Sequence, residues 1–279
     1  MIGTFISIKL DSLEKRFKEI DILLLQAKEN ISDQDSYKAL CRSAHILLVA
    51  HFEGTIKDII KDVLEDLNHY IDFKEVPENI KRTFSEYYMK HENGIYNEKL
   101  RKRLIETFED LPIKLKPEPF YYENNKNPSP YILETYLKRF GKKEFLKSIA
   151  TSDLDIVFEN NKSETMDLLQ RIKYHLKNGV NNYPYNVNSK IYNPKTLHNL
   201  PKNLKSMWET FLDELLLNRH NIVHGSILDN PTDHEEISIA KNKIEILIYV
   251  FIIELCNCCI PEKFRNSNCN LGLEICVRP

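Results

Sequence analysis

Glycine is scarce in this chain, with only 7 among 279 residues. Glycine supplies the positive-φ positions of tight hairpin turns and the close backbone approach of phosphate-binding loops. The sequence therefore offers little material for either. Apolar residues make up 42% and charged residues 29%, the ordinary balance of a globular protein. Because the apolar residues recur at helical spacing, the sequence predicts an all-α fold.

The chain also lacks a strong net charge and a long apolar run. Its formal charge is -2, so any RNA binding must come from local basic patches rather than a global field. The longest apolar run, Ile246 to Ile253, is far shorter than a membrane span and predicts a buried helix. Met1 to Ile8 has neither the basic start nor the cleavage site of a signal peptide. We therefore expect a cytoplasmic protein that does not contact a membrane.

The six cysteines concentrate near the C-terminus. They are Cys41, Cys256, Cys258, Cys259, Cys269 and Cys276. The C-x-C-C cluster could supply zinc ligands, but no flanking histidine or C-x-x-C pair supports that interpretation. In a cytosolic helical protein, reduced thiols that pack in the core are the favoured interpretation. We expect no metal and no cofactor.

Apolar periodicity predicts a series of helices along the chain. They cover residues 8–30, 35–70, 78–90, 96–111, 131–150, 163–177, a run around 208–217 and a last helix from 232 to about 259. Ser32 or Asp33 is the expected N-cap of the second helix. Residues 112–130, rich in proline, and 178–200, rich in asparagine and proline, are predicted to be loops.

The segment Arg219 to Gly225 ends one of these apolar helices with an arginine, two histidines and an asparagine. RNA carries its own nucleophile, the 2′-hydroxyl group, so cleavage needs only a proton acceptor, a proton donor and charge stabilisation on the phosphate. A histidine titrates near neutral pH and can fill either proton role. An arginine binds two phosphate oxygens and stays charged. Arg219 and His224 supply these two groups.

The spacing of these residues constrains how they can act. Five residues on a regular helix leave the Arg219 and His224 side chains roughly 140° apart. Either the helix ends between them, as a left-handed cap at Gly225 would allow, or a second protomer completes the site. His220 and His224 are four residues apart and share one face. Asn221 is suited to orienting an imidazole or contacting a phosphate.

Two other interpretations of the segment remain open. Arg219 and His224 could be ordinary cations that the helix dipole favours near a C-terminus. His220 and His224 could instead form half of a zinc site. The segment lacks the glutamate of the H-E-x-x-H pattern, and the only nearby third ligand is His234.

Arg219-His220-Asn221-Ile222-Val223-His224-Gly225 resembles the R-(polar)-x-x-x-H motif of the HEPN superfamily. The stretch His51-Phe52-Glu53-Gly54-Thr55-Ile56-Lys57 resembles a second marker, found in the second helix of bacterial HEPN proteins of the MAE-like and RiboL-PSP-like branches. The resemblance extends over residues 8–70 and 201–260, with the two segments in the order of the family.

The resemblance implies an all-α HEPN-type bundle with a helical, loop-rich insertion. The discontinuous core would comprise residues 1–72 and 201–262, the insertion residues 73–200, and a tail residues 263–279. It also implies a homodimer whose two motifs face one cleft. The implied catalytic residues are Arg219 and His224, with His220 in the polar position and Asn221 as a helper. Glu53 is a supporting residue that would orient the motif; its alternative is a solvent-facing glutamate.

The predicted function is therefore a metal-independent endoribonuclease that cleaves single-stranded or loop RNA. A toxin or anti-phage defence role, with an antitoxin or defence partner, would fit the family. Two basic patches could line an RNA path, with the tyrosines around Tyr121 as stacking surfaces. The patches are Lys99, Arg101, Lys102, Arg103, Arg139, Lys142 and Lys143. They could also be solvated helix faces, and the whole chain could be a non-catalytic dimerisation module or a nucleotide-sensing domain.

Overall fold

A computed structural model describes residues 3–89, 97–121, 128–159, 161–194, 205–226 and 232–264. These ranges contain nine α-helices and four short 3-10 helices but no β-strand, which confirms the all-α prediction. The helices are α1 (Phe5–Glu29), α2 (Gln34–Tyr70), α3 (Glu78–Tyr87), α4 (Glu98–Glu109), α5 (Pro130–Arg139), α6 (Phe145–Ile149), α7 (Lys162–Gly179), α8 (Met207–Val223) and α9 (His234–Cys258). Most of the predicted tail, including Cys269 and Cys276, lies outside the described residues.

Helices α1 and α2 form an antiparallel pair. The Asp33 side chain accepts the Ser36 amide at the start of α2, which confirms one of the two predicted caps. Helix α1 begins earlier than its apolar pattern indicated, because Thr4 caps it by accepting the Ser7 amide. The buried Asp66 carboxylate near the end of α2 accepts a hydrogen bond from the Phe5 amide at 2.7 Å. This contact joins the start of α1 to the end of α2.

Helix α9 is the centre of the molecule. Every residue from Ile244 to Cys256 is buried, as the apolar run predicted, and the helix packs against α1, α2 and α7. A helix that is apolar all round can be stable only when other elements surround it. Two of its buried residues are acidic: burial raises the pKa of Glu245, whose carboxylate accepts the Tyr249 hydroxyl, and Glu254 lies in a polar network described below.

The single helix predicted over residues 131–150 is wrong, because two helices, α5 and α6, occupy this range. The chain turns at Gly141, where φ is +101°, and again at Glu144, where φ is +54°. A Cβ atom at Gly141 would lie 2.3 Å from Nδ2 of Asn79, so this position excludes a side chain on steric grounds as well. Helical periodicity on both sides of the turn concealed the break.

Residues 73–200 contribute to the same hydrophobic core as the segments on either side. Phe120, Tyr136, Ile172 and Tyr185 are buried in one cluster with residues of α1, α2 and α9. The predicted loop after α7 is held down by Tyr185, whose hydroxyl donates to Asp66 at 2.8 Å. The segment is therefore packed into the bundle, and its status as an insertion stays a prediction.

The described ranges contain no group of three or more His, Cys, Asp or Glu side chains that could hold a metal ion. Cys41, Cys256 and Cys259 are buried free thiols, as expected for packing cysteines, and Cys258 is partly buried. None of the helices within these ranges is both long and apolar enough to cross a membrane.

Candidate active site at the end of helix α8

Helix α8, which carries the polar segment, is capped at both ends. At its start, the Ser206 side chain accepts the Glu209 amide and the Glu209 carboxylate accepts the Ser206 amide, a complete capping box. At its end, the Gly225 amide donates to the Ile222 carbonyl at 3.1 Å and the Ser226 amide donates to the Asn221 carbonyl at 2.8 Å. These two bonds form a Schellman motif, and the φ of +73° at Gly225 confirms the predicted left-handed cap.

The two histidines lie together on the exposed side of this helix end. The ring centroids of His220 and His224 are 4.2 Å apart, with a tilt of 48° between the ring planes. Both side chains are exposed, and His224 is the C-cap residue itself. A pair of imidazoles at this separation can supply a proton acceptor and a proton donor to one substrate. The shared face expected from their spacing is therefore confirmed.

Arg219 occupies a different position on the helix. The inward stripe of α8 runs through Trp208, Leu212, Leu215 and Ile222, and the same spacing places Arg219 between the last two. Its side chain is half-buried, and no hydrogen bond or ion pair within the described ranges engages its guanidinium. A partly buried guanidinium that does not pair with a carboxylate can bind an anion such as a phosphate. Among the described contacts, none joins Arg219 to either histidine.

Asn221 is also half-buried. Its backbone carbonyl belongs to the Schellman motif, while no partner of its side-chain amide lies within the described ranges. Both the backbone and the side chain therefore sit at the point where the helix stops. The structure thus assembles His220 and His224 directly and leaves Arg219 and Asn221 beside them on the partly buried flank.

One histidine outside the Arg219–Gly225 segment holds this helix in place. His45 of α2 is 2% exposed, and its Nε2 lies 3.0 Å from the Leu215 carbonyl oxygen. A carbonyl can only accept, so Nε2 carries the proton, and Nδ1, which has no partner among the described residues, does not. In a regular helix the Leu215 carbonyl also accepts the Arg219 amide, so His45 contacts the turn that carries Arg219.

We expect His45→Leu to lower the free energy of unfolding by about 1–2 kcal/mol at pH 7.5, since a buried hydrogen bond is lost. Burial lowers the pKa of His45, so below about pH 6.5 the unfolded chain takes up a proton that the folded chain does not. The wild type therefore loses stability as the pH falls through that window, whereas the variant is spared this loss. Urea unfolding at pH 7.5 and pH 5.5 checks whether the deficit shrinks at the lower pH.

The acidic supporting residue makes a local contact. The Glu53 carboxylate accepts the Lys57 ammonium of the same helix at 2.9 Å, and both side chains are partly exposed. This contact leaves its predicted role in orienting the motif untested. His51 lies beside the exposed Glu19 carboxylate at 3.0 Å.

The basic residues fall into two groups in the structure. Lys99, Lys102, Arg103 and Lys143 are exposed and available to an approaching polyanion. The other three make internal contacts: Arg101 pairs with Glu86 and Glu98, Arg139 donates to the Tyr121 carbonyl, and Lys142 pairs with Glu254. Their predicted role in binding RNA remains a prediction.

Tyr121 makes a structural contact with α2. Its hydroxyl donates to the Lys57 carbonyl at 3.1 Å, and burial raises its pKa to about 12. The residue is partly buried, so its ring is not fully open to stacking by a base.

The family model described as RiboL-PSP-HEPN matches residues 11–162, which is more than half of the chain. The match includes much of the predicted insertion, residues 73–200, and ends before the Arg219–Gly225 segment. No curated protein matches significantly, and no solved structure does so either. The marker around Glu53 thus lies inside the matched region, and the polar end of α8 lies outside it.

Proposed function

Because the chain belongs to the RiboL-PSP-HEPN family, we propose that it is a metal-independent endoribonuclease that cleaves single-stranded or loop RNA. HEPN domains are generally ribonucleases. The observation that supports this assignment here is the paired His220 and His224 at the capped end of α8, with the Arg219 guanidinium, which no described residue pairs with, on its flank. These three groups can supply the proton acceptor, the proton donor and the charge stabilisation that phosphodiester transfer to a 2′-hydroxyl requires.

In the proposed reaction, one histidine removes the proton from the 2′-hydroxyl as its oxygen attacks the adjacent phosphorus. The bond from phosphorus to the 5′-oxygen breaks, and the second histidine donates a proton to that oxygen. The products are a 2′,3′-cyclic phosphate and a free 5′-hydroxyl. Arg219 stabilises the charge that builds up on the non-bridging oxygens. Asn221 would orient the nearer imidazole or contact the phosphate.

The active site of this proposal is shared between two protomers. Arg219 lies on the inward stripe of α8, while His220 and His224 lie on the exposed side, so one straight helix does not aim all three at one phosphate. Leu217 is 58% exposed and Val223 is 51% exposed beside the motif, an apolar surface suited to a second copy of the chain. In an isologous dimer, each arginine can approach the partner's histidines.

We further propose a biological role as a toxin or defence effector in the cytoplasm, restrained by an antitoxin or another defence partner. A ribonuclease that needs no metal or cofactor would cleave the RNA of its own cell unless a partner restrained it. The alternative is a non-catalytic dimerisation module. It is favoured by the C-cap position of His224, since a cation there also stabilises the helix dipole.

The proposal is tested by incubating the purified protein with total RNA in EDTA and in Mg²⁺. We expect equal cleavage in both, because no step uses a metal, and fragments that end in a 2′,3′-cyclic phosphate. Mapping of the fragment ends by phosphatase and kinase treatment identifies that group. Cleavage that disappears on chelation would contradict the metal-free mechanism, and intact RNA under every condition would favour the dimerisation module.

A further inference from the structure

A cavity of about 400 Å³ lies away from the polar end of α8, between α1, the start of α7 and the first turns of α9. The 3-10 helix Asp153–Phe158 lines it on one side. Leu24, Val157 and Ile239 give it an apolar wall. Its size suits a small organic molecule rather than a few waters.

Two largely buried polar side chains line this cavity. Thr165 of α7 and Asn242 of α9 are each 8% exposed, and both line the cavity. Within the described ranges, neither the Thr165 hydroxyl nor the Asn242 amide makes a hydrogen bond. The polar atoms of both side chains are open to the cavity. Two such groups on facing helices point to a ligand that supplies hydrogen bonds at the same place, because polar groups in a largely buried site usually have a partner.

The charges around the cavity are mainly positive. Lys28, Lys162 and Lys243 line it, and no ion pair of the described residues involves any of them. The lining contains two carboxylates. That of Asp21 pairs with Lys241 at 2.5 Å, and that of Glu235 is exposed and forms no ion pair with a described residue. The excess of ammonium groups favours an anion.

Lys243 is the most constrained of these cations. Its ammonium lies 4.5 Å from the centroid of the Phe158 ring and 5.2 Å from that of Phe211. Burial lowers its pKa, because the charged form is partly desolvated, and the nearby Glu214 carboxylate offsets this only in part. A bound anion close to the ammonium would stabilise its charged form and so offset the cost of burial.

The start of α7 adds donors at the same place. The Asn161 side chain accepts the Glu164 amide, which leaves the amide of Lys162, a residue of the cavity lining, without an intrahelical partner. Such free amides at the positive end of a helix dipole favour an oxyanion.

We propose that this cavity binds a small molecule in which an oxyanion is attached to an apolar body. The oxyanion would contact Asn242, Thr165 and the lysines, and the apolar body would contact Leu24 and Ile239. A phosphate ester and a carboxylate share this chemistry. The proposal uses none of the residues at the end of α8, so it does not depend on ribonuclease activity.

The test is isothermal titration of the full-length protein with phenyl phosphate, benzoate and inorganic phosphate. We expect one saturable site for phenyl phosphate or benzoate with a Kd of about 0.1 mM, reasonable for a ligand of roughly ten heavy atoms. Inorganic phosphate should bind about tenfold more weakly, because it lacks the apolar body. Tighter binding of phenyl phosphate would identify a phosphate ester, and tighter binding of benzoate a carboxylate.

Variants locate the binding. Asn242→Leu and Lys243→Met should each weaken it about tenfold, whereas Lys61→Met, at an exposed lysine on α2, should leave it unchanged. If Asn242→Leu fails to fold, Lys28→Met takes its place because that lysine is exposed. Absence of saturable binding by both organic anions, or binding that these variants do not change, would overturn the proposal.

Discussion

His224→Ala should lower the rate of RNA cleavage by about 10²–10⁴, because the loss of one proton-transfer group typically costs that much. Arg219→Ala should lower it by about 10²–10³, as expected when a charge-stabilising group is removed from a transition state. Arg219→Lys should recover only part of the loss, since an ammonium cannot bind two phosphate oxygens in the planar geometry of a guanidinium. Single-turnover cleavage of a labelled RNA measures these rates.

The chain offers matched controls for both variants. His69 lies in the last turn of α2 and is exposed, as His224 is at the end of α8, and Arg171 is an exposed arginine of α7. His69→Ala and Arg171→Ala should cleave RNA at the wild-type rate. Because His224 is exposed, His224→Ala should change the free energy of unfolding by no more than about 1 kcal/mol. Full activity in His224→Ala would show that the catalytic group lies elsewhere.

Mixing the two inactive variants tests whether the site is shared. In a heterodimer of Arg219→Ala and His224→Ala, a shared arrangement leaves one site with an intact arginine and an intact histidine. Random mixing should then restore about one quarter of the wild-type activity, because half of the dimers are mixed and each has one working site. A site contained within one protomer would give no recovery.

Lys142→Ala should destabilise the fold by about 3 kcal/mol, because it leaves the buried Glu254 carboxylate without its cation. Glu254 is 2% exposed, and its Oε2 lies 2.6 Å from the Lys142 ammonium. Its other oxygen accepts the hydroxyls of Ser189 and Tyr192, so the network joins α9 to the segment after α7. Chemical unfolding monitored by far-UV circular dichroism measures the loss.

The neighbouring residue provides the control. Lys143 is exposed, and Lys143→Ala should change stability by less than about 0.5 kcal/mol. The double variant Lys142→Met, Glu254→Gln should be more stable than Lys142→Ala, since no unpaired charge remains in the core. If Lys142→Ala instead unfolds like the wild type and binds RNA more weakly, the ion pair is dispensable and the predicted RNA contact is supported.

Several features of the fold followed from the sequence, because they depend on residues close together in the chain. The second helix begins next to Asp33, whose short side chain reaches an amide three residues away. Helix α8 ends at Gly225, because glycine adopts the left-handed conformation without strain. The apolar run from Ile246 to Ile253 lies in the centre of the bundle, because only burial stabilises a helix that is apolar all round.

The sequence also identified the polar end of α8 as the candidate site and placed His220 and His224 on one face. It could not give the burial of Arg219, because its position on the packed stripe depends on which side of α8 meets the bundle. Nor could it single out His45 among the nine histidines of the chain. The bond from His45 to the Leu215 carbonyl joins residues 170 positions apart, and only the packing of α2 against α8 brings them together.

The basic residues show the same division. Lys142 and Lys143 are equivalent in sequence, yet one pairs with a buried carboxylate and the other is exposed. The break between α5 and α6 and the cavity beside Asn242 likewise arise where separate elements meet. Periodicity and capping act over one or two helical turns, so the sequence by itself determined an all-α chain with a polar, glycine-capped end on α8. Contacts between distant segments decided which charges are paired, which are buried, and which remain free to bind a ligand.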